Sequence, residues 1–102
     1  DQSASANDLL RAARESYWSE DFERSVDFYQ QLIALDPNPS HKGELANVFW
    51  KMKKEDQAAD LYIEIGDWLK SQNRMAELIN MKVYVDMVNP EKAKQLGALI
   101  GQ

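Results

Sequence analysis

The sequence predicts an all-α chain of antiparallel helix hairpins stacked side by side, and three observations carry that prediction. Glycine and proline are scarce, four and three residues in all, and no alternating run of β-branched residues reaches strand length. Apolar residues recur at intervals of three and four along six successive stretches, the period of one face of a helix. Small and aromatic residues also repeat: Ser25 and Ala58 stand 33 positions apart, and each is followed four residues later by a tyrosine, Tyr29 and Tyr62.

Residues 1–6 are small and polar and read as a flexible N-terminal segment, with residues 7–102 as one domain. Asn7 or Asp8 caps a first helix to about Trp18, with Leu9, Ala12, Ala13 and Ser16 on one stripe. Ser19 to Asp21 break it. The second helix runs from about Asp21 to Leu35, with Phe22, Ser25, Val26, Tyr29, Leu32 and Ile33 at helical spacing and acids in its first turn. Asp36-Pro37-Asn38-Pro39 ends it, because a proline drives the preceding residue out of the helical region. Ser40 caps a third helix to about Lys53, whose inner side carries Leu45, Ala46, Val48, Phe49 and Met52.

Glu55 or Asp56 opens a fourth helix through Ala58, Ala59, Leu61, Tyr62, Ile65, Trp68 and Leu69. Gly66 inside it costs about 1 kcal/mol relative to alanine, and a close helix crossing is the expected reason for it. Gln72 and Asn73 separate a fifth helix, Arg74 to Val88. Its two apolar stripes, Leu78, Met81, Val85 and Val88, then Ala76, Ile79, Val83 and Met87, predict burial on both sides between the fourth and sixth helices. Asn89 and Pro90 start a short sixth helix to Ile100 as cap and first helical residue.

Asp21-Phe22-Glu23-Arg24-Ser25, Tyr29 and Asp36-Pro37-Asn38 supply a turn, a second helix and a stop; Leu45, Ala46, Phe49, Ala58 and Tyr62 supply the next unit. In these residues the chain resembles the tetratricopeptide repeat family, whose pattern sets Leu-Gly, an aromatic, Ala, an aromatic and Pro over about 34 residues. The match covers residues 7–70, with Ala12-Ala13 in place of Leu-Gly and Lys70 in place of the second proline; a third unit would use Tyr84 and Ala93. The resemblance implies about three units and six helices coiled into a short right-handed superhelix. It also implies a concave groove, lined by the first helix of each pair, that binds a peptide or helix of a partner protein.

Projected onto this sequence, the groove would hold Arg11, Arg14 and Tyr17, with Asn7 and Trp18 beside them, and Asn47, Trp50 and Lys51, with Glu44. Guanidinium forks there would grip carboxylates and tryptophan would supply anchor area. Some family members clamp a C-terminal carboxylate with lysines and asparagines; only Asn47 and Arg14 occupy suitable positions, so a chaperone-tail receptor is not expected.

Charge narrows the partner. Residues 1–36 hold three basic and eight acidic side chains and residues 37–102 hold nine of each, so the formal net charge of −5 lies wholly in the first third. Nucleic acid and anionic membrane both require a dense basic face, and neither is expected as a partner. No apolar run nears the roughly 18 residues that span a bilayer, so a soluble adaptor or scaffold domain, cytoplasmic or periplasmic, is expected.

The chain has no cysteine and one histidine, so no metal site, cofactor or catalytic residue is expected. His41 reads as a solvated loop residue, and Glu20, Asp21, Glu23 and Asp27 as helix-start charges rather than a calcium loop. The competing reading is an assembly subunit that self-associates or docks through its apolar C-terminal helices, with Met81, Met87, Leu96, Leu99 and Ile100 as the interface.

Overall fold

A computed structural model describes residues 2–101, and among them the chain forms six helices and no strand: α1 (Gln2–Trp18), α2 (Phe22–Leu35), α3 (Pro39–Lys51), α4 (Glu55–Ser71), α5 (Met75–Val88) and α6 (Pro90–Leu99). Starts are set by caps. Asp21 caps α2 by accepting from the Arg24 N–H, and Asn89 caps α6 by accepting from Glu91 and Lys92. The cap of α3 is Asn38 rather than Ser40: its Oδ1 accepts from the Ser40 N–H at 3.0 Å, and Pro39 takes the first helical position, where its missing N–H does no harm. α1 starts ahead of the expected cap, so Asn7 and Asp8 lie inside it. Of the residues read as an N-terminal segment, Asp1 lies outside the described residues and the rest continue the helix.

Three turns close in one way. The N–H groups of Asp21, Lys54 and Arg74 each reach five residues back, to the carbonyls of Ser16, Phe49 and Leu69, all at 2.9 Å. The residue before each donor is left-handed, Glu20 and Lys53 at φ 64 and Asn73 at φ 58. This is the Schellman closure, usually given to glycine because a β-carbon crowds the backbone there. Glu20 and Lys53 are 33 positions apart, so the first two hairpins turn at the same place in the repeat.

α1 pairs with α2 and α3 with α4; α2 packs on α3, α4 on α5, and α6 on both α5 and α4. The fold is therefore a stack of helix hairpins built by sequential packing, 42 × 28 × 19 Å in extent. Small side chains set the spacing inside the first two hairpins. Ala13, Ser25, Ala46 and Ala58 are fully buried, and the Ser25 hydroxyl donates to the Ala13 carbonyl at 2.8 Å. Leu32, Val48, Leu69, Leu78, Val85 and Leu96 fill the core around them.

The third hairpin departs from this plan. A β-carbon on Gly66 would lie 2.8 Å from Leu99 Cδ1 and 3.1 Å from Leu96 Cδ2, so glycine lets α6 cross close over α4. With α6 drawn onto α4, only one side of α5 is covered. Leu78, Met81 and Val85 are buried, while Ile79, Val83 and Met87 are 47%, 53% and 74% exposed. The expectation that this helix is buried on both sides is thereby corrected.

Gly66→Val should destabilise the chain by about 1–3 kcal/mol through overpacking. Gly66→Ala should stay within about 1 kcal/mol of the parent, because gained helix propensity offsets the shift of the Leu99 side chain; urea unfolding of the pair checks both. At the turn, Lys53→Gly should raise stability by about 1 kcal/mol by relieving the left-handed residue, read as a higher thermal midpoint.

Candidate functional site

The first helices of the three hairpins share a face on which two concavities open. The larger, about 340 Å³, is lined by Ser40, Gly43, Glu44 and Asn47 of α3, by Tyr62, Ile65, Trp68 and Leu69 of α4, and by Arg74, Glu77, Asn80, Met81 and Tyr84 at and along α5. The smaller, about 150 Å³, is lined by Arg14, Tyr17 and Trp18 of α1, Tyr29 of α2, and again Glu44 and Asn47. These last two residues join the concavities into one strip across α3.

The two intervals use equivalent positions for different contacts. Arg14 and Asn47, Tyr29 and Tyr62, and Glu44 and Glu77 are each 33 residues apart. In the first interval the three groups close on one another: Arg14 Nε and Nη2 donate to the two Glu44 carboxylate oxygens at 2.9 and 2.8 Å, and the Tyr29 hydroxyl donates to Glu44 Oε1 at 2.8 Å. In the second, asparagine stands where the arginine stood. Tyr62 donates to Asn47 Oδ1 at 2.7 Å, and Glu77 turns to Arg74, whose Nε and Nη2 reach it at 3.0 and 2.7 Å. An ion pair thus bridges α1 to α3, whereas Glu77 is held within its own stretch of chain. The unbridged interval is the roomier one.

Burial pushes the Glu44 carboxyl up, but the hydrogen bonds from Arg14 and Tyr29 and the guanidinium charge outweigh it and hold the group below the usual carboxylate range. The hydrogen bond to Glu44 raises Arg14 further above neutrality. Tyr29 is raised by burial first and then by Glu44. Tyr62 is pushed up to about 12, by burial first and then by Tyr84 and Tyr17. At neutral pH both phenols keep their protons, so they serve as fixed hydrogen-bond donors.

Of the residues expected in a groove, Arg14, Tyr17 and Asn47 line the concavities, and Trp18 stands at the mouth of the smaller one, 71% exposed. Trp50 is half-buried, its ring centroid 5.2 Å from that of Tyr84, which links α3 to α5. Arg11 and Lys51 line neither concavity, and Arg11 sits 4.0 Å from Asp8. Arg74, Glu77, Asn80 and Tyr84 were not anticipated. The step of 33 from Arg14 through Asn47 to Asn80 points to them, but the two apolar stripes of α5 obscure that face in the sequence.

Among the expected C-terminal interface residues, Met81 and Leu96 belong to the core, Leu99 and Ile100 are half-buried, and Met87 is exposed. His41 is not a solvated loop residue. It is buried in α3 with Nε2 3.0 Å from Asp36 Oδ2, a bond that holds the Asp36 carboxyl below its usual range.

Among the described residues no three potential ligands cluster to hold a metal ion, and no helix is long and apolar enough to cross a membrane. Compared with family models, curated proteins and solved structures, the chain matches none.

The Arg14–Glu44 pair carries a pH prediction. Because the folded carboxyl is depressed, its contribution is complete above the unfolded range and lost as pH falls through the folded value. The two side chains are 45% and 30% exposed, and screening limits the pair to about 0.5–1 kcal/mol. Glu44→Gln should lower stability by that amount at neutral pH, and its gap from the parent should narrow below about pH 4, measured as urea midpoints across an acid series.

Proposed function

We propose that this chain is a non-catalytic protein-binding module, a short stack of tetratricopeptide-like hairpins whose α1/α3/α5 face receives a peptide or helix of a partner protein. The observation that carries the reading is the open second interval. Where Arg14 and Glu44 bridge the first, the concavity is about 150 Å³; where Asn47 and Glu77 leave the second unbridged, it is about 340 Å³, within the range of pockets that seat ligand groups.

Its lining suits recognition. Tyr62, Trp68 and Tyr84 supply rigid aromatic surface, the kind of residue that dominates binding hot spots. The N–H pair of Asn47 and the amide of Asn80 make no side-chain hydrogen bond among the described residues, so both can orient a bound segment. The carboxylates in the strip are matched to arginines, and Tyr29 and Tyr62 stay protonated; such groups hold a ligand rather than move protons.

Asn47→Arg tests the reading by placing in the second interval the residue that closes the first. The variant should stay within about 1 kcal/mol of the parent: Tyr62 loses the Asn47 Oδ1 acceptor, but a guanidinium there can draw Glu77 from Arg74, and the carboxylate can then accept from Tyr62 as Glu44 does from Tyr29. Capture of a partner from a lysate of the source organism should fall by at least about tenfold, or about 1.4 kcal/mol. Equal capture by parent and variant would remove the groove from consideration.

A further inference from the structure

We draw no further inference here: the strongest candidate, the exposed apolar ridge of Ile79, Val83 and Met87 on α5, lines neither concavity, and nothing in the structure shows what covers it.

Discussion

The distance between paired helices is the constraint on which the rest of this molecule depends. In the first hairpin Ser25 is so close to α1 that its hydroxyl bonds the Ala13 carbonyl, and in the second Ala46 and Ala58 are fully buried at the corresponding positions. No larger side chain fits without moving a helix. With that spacing fixed, the tyrosines one turn on reach α3 from both sides, Tyr29 bonding Glu44 and Tyr62 bonding Asn47. Core packing and the polar strip thus have a common cause, because the alanine or serine that sets the spacing also aims the phenol.

Much of the fold was legible because helical hairpins write their packing into local sequence. Period, small residues and Gly66 each report on a neighbour within reach, and the six helices fall within a few residues of where they were expected, α1 excepted. The misses have physical reasons. Left-handed turns at Glu20 and Lys53 carry no glycine, so nothing in their composition announces the closure. Asn38 and Ser40 are both good caps, and the choice between them follows from Pro39, which is favoured at the first helical position. Periodicity identifies the residues that share a face but not what covers the face, which is why the Ile79, Val83 and Met87 stripe was expected inside.

The site was less legible for a related reason. Arg14 was expected to meet a partner's carboxylate, yet the carboxylate it meets is Glu44, 30 residues away in its own chain. Helical projection places both residues on one face and is silent on whether they touch. His41 shows the same limit: its proline and serine neighbours suggested a loop, while the structure buries it at the packed start of α3, bonded to Asp36 five residues earlier. Pairings between side chains depend on how hairpins stack, and that information is spread over the whole chain.

The two intervals of the strip pair a small sequence difference with a narrower concavity on one side and a wider one on the other. Arginine at position 14 gives Glu44 a charged partner on the neighbouring helix, and the concavity there is about 150 Å³. Asparagine at position 47 can accept from Tyr62 but cannot satisfy a carboxylate charge, so Glu77 pairs with Arg74 and the concavity is about 340 Å³. Arg74 in turn lies with its guanidinium carbon 5.2 Å from the centroid of Trp68, which holds it against the floor of the groove. The same exchange neutralises the strip. Every charge lining it has a partner of opposite sign within the chain, so an incoming group finds aromatic surface and amides unengaged.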